Sequence, residues 1–191
     1  MSMKEMNHHL NVSYNRKRRS AVRQSGAVPV PSIPSGGKTL NATLVKILAT
    51  GFGSGYAPFA PGTVGTLVGI PFFLLFSPFG GSMYLLTILA LTFLACYVAG
   101  EAEKVFGRKD ASCIVIDEIV GYLWTMFLVS PTLPHIALGV VLFRVFDIIK
   151  PFPVRFCESY FPGGYGVVMD DVAAGLYACL AMHVILTIGR F

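Results

Sequence analysis

Charge is scarce in this chain. Lys, Arg, Asp and Glu make up 13% of its 191 residues, about half the ~25% of a soluble globular domain, so an ordinary solvated surface is excluded. Cysteine is sparse too. Cys96, Cys113, Cys157 and Cys179 form no C-x-x-C pair and mostly fall in or beside apolar runs, which reads as small buried hydrophobes. A zinc centre is not expected: His8 and His9 lie in a polar tail, and His135 and His183 have no set of ligand partners at useful spacing. No apolar segment follows the start, so no cleaved signal peptide is expected. Gly37-Lys38-Thr39 is no phosphate-binding P-loop, because Ser32 stands where its first glycine belongs and no strand precedes it.

Long apolar runs are what the chain does have. Hydrophobic residues make up 54% of it, and their grouping predicts an all-α polytopic membrane protein. About five membrane-embedded helices are expected, over roughly 66–76 or beyond, 82–100, 113–129, 135–149 and 166–188. A short amphipathic helix at 40–50 precedes them, with Leu40, Leu44, Ile47 and Leu48 on one face, lying along the membrane surface. Residues 1–38, basic and rich in Pro, Ser and Gly, read as a disordered cytoplasmic tail. Its Arg16-Lys17-Arg18-Arg19 run suits anionic headgroups better than nucleic acid. Residues 39–191 form the membrane domain.

Loop charge fixes an orientation. The loops at 101–112 and 150–165 carry Lys104, Arg108, Lys109, Lys150 and Arg155, whereas 77–81 and 130–134 carry none. With the basic tail inside, every loop obeys one alternation.

That alternation gathers the polar residues at the cytoplasmic edge. Asp117 and Glu118 sit side by side in an apolar run, where one charge alone costs roughly 2.5–3.5 kcal/mol at mid-membrane. They need a cation, a polar cavity or protonation. Arg144, Asp147 and Lys150 recur at intervals of three, and Asp170 and Asp171 open the last helix. These carboxylates suit Mg²⁺, which takes carboxylates, water and substrate phosphate; the basic residues suit the phosphate. The Gly- and Pro-rich stretch 51–66 reads as a tight loop running into a helix start. Its backbone N–H groups and the hydroxyls of Ser54, Thr63 and Thr66 favour an anion. Blander readings stay open: Asp147 as an ion-pair partner, Asp170 or Asp171 as a helix cap, and Gly65-x-x-x-Gly69 as a packing motif.

Four blocks in order then resemble the phosphatidylglycerophosphatase A family: GFGSGYAPFAPGTVGTLVGIP (51–71), IDEIVG (116–121), FRVFDIIKPFP (143–153) and GGYGVVMDDVAAG (163–175). The resemblance implies Mg²⁺-dependent removal of the terminal phosphate from phosphatidylglycerophosphate, giving phosphatidylglycerol, at the cytoplasmic side of a bacterial inner membrane. The expected site has Asp117, Glu118, Asp147, Asp170 and Asp171 as catalytic carboxylates. Asp117, Glu118, Asp170 and Asp171 hold the metal, and Ser54, Gly55, Gly62, Thr63, Gly65, Thr66, Arg144 and Lys150 bind phosphate. The partner is a membrane phospholipid, and a homodimer through Gly65/Gly69 or Ala173/Gly175 is allowed. The D-x-D-x-[TV] and C-x5-R phosphatase signatures, the PSGH block and the CDP-alcohol transferase pattern are all missing. The alternatives are a phosphatase for another lipid phosphate, an ion-coupled transporter and a structural subunit. The transporter is disfavoured because the charges do not continue to the opposite face.

Overall fold

A computed structural model describes residues 41–109, 111–149 and 164–189. The basic tail and Lys150 lie outside them. Among the described residues the chain is all-helical: α1 (Ala42–Ala49), α2 (Pro61–Phe76), α3 (Gly80–Phe106), α4 (Ile116–Thr125), α5 (Leu133–Ile149) and α6 (Gly164–Gly189).

The helix ends follow local chemistry. Asn41 caps α1, its Oδ1 accepting from Thr43 N at 3.0 Å. Pro61 opens α2, where its missing N–H costs nothing. Gly107, at φ +63°, closes α3 in the left-handed conformation that favours glycine.

The expectation of about five spanning helices is corrected. Among the described residues, two helical stretches are long and apolar enough to cross a membrane: Pro61–Phe106, with a short 3₁₀ turn at Ser77–Phe79, and Gly164–Gly189. Their most apolar windows are only 39% and 33% buried within the chain, so these helices turn apolar surface outward, unlike core helices of a soluble protein. In place of the span expected at 113–129 stands α4, ten residues long and ~15 Å against a ~30 Å hydrocarbon core. The seventeen-residue α5 reaches ~26 Å. The apolar run 113–129 misled because only its middle is helical. Met126 ends the helix, and Leu128 adopts φ +59°.

Short α4 is instead wrapped by its neighbours. Gly65 and Gly69 of α2 lie against Val115 and Tyr122, Gly121 lies against the Phe143 ring of α5, and Gly175 of α6 lies against Gly121 O. A Cβ at any of these glycines would clash, so they set how closely the backbones approach. Buried polar bonds tie the bundle further: Tyr84 OH donates to Leu123 O (2.8 Å) and Trp124 Nε1 to Thr92 Oγ1 (3.0 Å). The start of α6 meets α3 at Ala99–Gly100. The beginnings of α2, α4 and α6 and the end of α5 therefore share one end of the bundle.

Candidate active site

Asp117 and Glu118 occupy the first turn of α4, where the positive end of the helix dipole favours carboxylates. Gly121 and Gly175 bring α4 against α6 one turn further along. Asp117, Glu118 and Asp171 consequently converge: each offers a carboxylate oxygen, all within 4.8 Å of one another. Asp117 and Asp171 are 5% exposed. Burial first, then the neighbouring Asp117 and Asp171, push the Glu118 carboxyl well above the ordinary range. Its Oε2 is buried with no hydrogen-bond partner among the described residues. Three hard oxygen donors that would repel one another when ionised fit a divalent cation, which would hold all three charged.

The start of α2 closes over this group. A Cβ on Gly62 would collide with Glu118 Oε1 and stand 3.0 Å from Arg144 Nη1. Only glycine lets the α2 backbone sit there, with the first-turn N–H groups that a helix leaves unbonded nearby. Arg144, from the last turns of α5, has Nη1 2.7 Å from Asp147 Oδ2, both side chains largely buried. That pair fixes the guanidinium beside Gly62. Its Nε makes no hydrogen bond among the described residues. Carboxylates, a helix start and a guanidinium together can hold a cation and a phosphate side by side.

The geometry decides which family the arrangement serves only in combination with comparison. The family model described as Phosphatidylglycerophosphatase A matches residues 47–186. The chain belongs to this family. Among curated relatives, "Phosphatidylglycerophosphatase A" of Escherichia coli K12 is 35% identical, over 73% of this chain and 81% of its own length. The protein of the same name from Haemophilus influenzae is 36% identical, over 74% and 88%. A Bacteroides thetaiotaomicron protein provisionally named a phosphatidylinositol-3-phosphatase is 40% identical, over 74% and 92%. No solved structure matches.

Within this phosphatidylglycerophosphatase A-family chain, the expected site residues separate into two groups. Asp117, Glu118, Asp171, Gly62, Arg144 and Asp147 come together, and half-buried Thr63 stands on the same first turn of α2. Asp170 is 2% exposed but is not one of the three converging carboxylates. Ser54 and Gly55 are committed elsewhere: Ser54 Oγ and Gly55 N both donate to Thr50 O, at 3.2 and 2.9 Å. Thr66 Oγ1 donates to Gly62 O within its own helix (2.9 Å), and Gly65 packs on Val115. These four shape the entry to α2 and present no donor to a phosphate. Lys150 lies outside the described residues.

Two organising residues were not foreseen. Thr50, 1% exposed, folds the glycine loop around its own carbonyl and hydroxyl, Gly53 N donating to Thr50 Oγ1 at 3.1 Å. Ala60, at φ +46° and ψ +58°, turns the chain into α2. Neither carries a sequence signal: a threonine ending a helix is common, and a left-handed turn announces itself only when it is glycine.

Proposed function

We propose that this protein hydrolyses the terminal phosphate monoester of phosphatidylglycerophosphate to phosphatidylglycerol, with Mg²⁺, at the cytoplasmic face of a bacterial inner membrane. The observation that carries the reading is the convergence of Asp117, Glu118 and Asp171 beneath Gly62 and Arg144. Family membership supplies the reaction class, and the relatives named phosphatidylglycerophosphatase A supply the lipid. The two outward-facing apolar stretches support a membrane location.

Asp117, Glu118 and Asp171 would hold the metal, with buried Asp170 beside Asp171 on α6. When bound, the cation would supply neutralisation of the phosphate oxygens and a more acidic water. Arg144, oriented by Asp147, binds the equatorial oxygens as charge spreads over them. The first turn of α2, Gly62 and Thr63, aims its backbone N–H groups at the same phosphate. Lys150, next after α5, adds a second cation. Gly65, Gly69 and Gly175 are taken up by contacts within the chain, so a homodimer would use another face.

The 40%-identical relative favours a second reading, in which the same site serves an inositol lipid phosphate. One experiment separates the two. Purified protein in detergent is given phosphatidylglycerophosphate or phosphatidylinositol 3-phosphate, with Mg²⁺ or with chelator. Mg²⁺-dependent release from the first is expected. Release from the second alone moves the substrate, and release indifferent to chelator removes the metal.

A further inference from the structure

Residues 44–59 have two unlike faces. Inward, Val45, Ala49, Thr50, Gly51 and Gly55 are buried, and Val115 N donates to Ala49 O at 2.8 Å. Outward stand Leu44, Ile47, Phe52, Tyr56 and Phe59, at 42%, 44%, 65%, 61% and 85% exposure. Such side chains are not an aqueous surface. Phe52, held at φ +58°, stacks on Phe72 with ring centroids 6.3 Å apart. Phe72 lies ten residues beyond Gly62 along α2, ~15 Å down a helix at 1.5 Å per residue. Leu67 above that depth, and Leu74 and Leu75 just below it, also face outward on the same apolar stretch. Near the start of the segment, Lys46 Nζ sits 5.9 Å from the Phe106 ring centroid at the end of α3.

We propose that residues 44–59 are a re-entrant interfacial wedge. The segment dips from the level of Lys46 into the lipid beside α2, carries Phe52 to acyl-chain depth, and returns through Tyr56 and Phe59 to the headgroup layer at Pro61. Its occupant is the bilayer into which α2 and α3 run, because Phe52 makes the outward faces of loop and helix one continuous apolar surface. An aromatic body with a polar tip at Tyr56 and a long-stemmed cation at Lys46 suit the two sides of the headgroup boundary. The wedge fixes the start of α2, and with it Gly62 above the carboxylates, at the level of lipid phosphates. The proposal rests on the two apolar stretches lying in lipid and not on the reaction, so it can fail while the phosphatase reading stands.

The test places single tryptophans in the full chain, Phe52→Trp or Phe59→Trp, in a Trp124→Phe background that gives up the bond to Thr92. Protein is reconstituted in phosphatidylcholine–phosphatidylglycerol vesicles whose acyl chains are brominated near the headgroup or near the terminus. Circular dichroism checks that each variant is helical. The tryptophan at 52 is expected to emit in the blue and to lose at least about twofold intensity to bromine near the chain terminus, less to bromine near the headgroup, with little effect of aqueous iodide. The one at 59, at the boundary, responds to both quenchers. Water-like emission with strong iodide quenching at both positions overturns the proposal. So does shielding from both quenchers that disappears on dilution in lipid, since a second copy of the chain would then be the cover. Two positions keep the result decisive if Phe52→Trp disturbs its stack with Phe72.

Discussion

The two ends of this bundle are built from different materials. At the carboxylate end, glycines set the spacing: Gly62 against Glu118 and Arg144, Gly65 against Val115, and Gly121 against Gly175. At the far end, large side chains fill it. Phe73 and Tyr84 meet edge to face at 6.3 Å, and Ile88, Leu123, Met126 and Met182 are fully buried. A cavity of about 140 Å³ opens there, lined by Phe73, Tyr84, Met126, Leu128 and neighbours, and none of its lining residues is ionisable at neutral pH. This cavity is thus away from the carboxylates. Backbones in contact leave no slack for buried charge to move, whereas side chains in contact can repack. The proposed chemistry sits at the end where backbones are in contact, and side chains fill the far end.

The comparison can be broken from either side. Asp171→Ala, which removes one of three converging carboxylates, is expected to lower phosphate release by at least ~10³-fold with the protein still membrane-inserted, as measured by turnover and membrane fractionation. Retained turnover would remove Asp171 from the site. Gly62→Ala puts a methyl group into Glu118 and Arg144 and is expected to cost about 10²-fold in turnover with little change in melting. Phe73→Ala should do the reverse: about 2 kcal/mol of stability lost to the cavity, read by thermal or denaturant unfolding in detergent, with turnover kept below the melting range. The figure is modest because lipid is as apolar as the core, which leaves mainly the packing term.

Metal sharpens the same contrast. Saturating Mg²⁺ is expected to raise the melting temperature of the native chain and of Phe73→Ala, but not that of Glu118→Gln, because only the ligand-bearing end links binding to folding. The smallest effect is on strain. Ala60→Gly relieves a left-handed alanine and should stabilise the protein by up to ~1 kcal/mol, the opposite of glycine's usual effect.

Much of this was legible in the chain. Scarce charge and long apolar runs set the helical class. Asp117-Glu118, Arg144-Asp147 and Asp170-Asp171 stood out because an apolar run does not carry such pairs without a reason. The order of four motif blocks gave the family. Among the described residues helix number came out nearly right and span number did not, because apolar length does not say whether a run is helical throughout; residues 113–129 hold a ten-residue helix and an irregular end.

What tertiary structure decided was the use of each donor and each direction. Sequence could not tell that Ser54 and Gly55 turn back onto Thr50, since a hydroxyl and an N–H look equally available until the loop closes. Nor could it tell that adjacent Asp117 and Glu118 join one cluster while, of adjacent Asp170 and Asp171, Asp171 does. Composition and pattern determine which groups must leave water together. Only packing of α2, α5 and α6 around a short α4 determines which of their atoms meet.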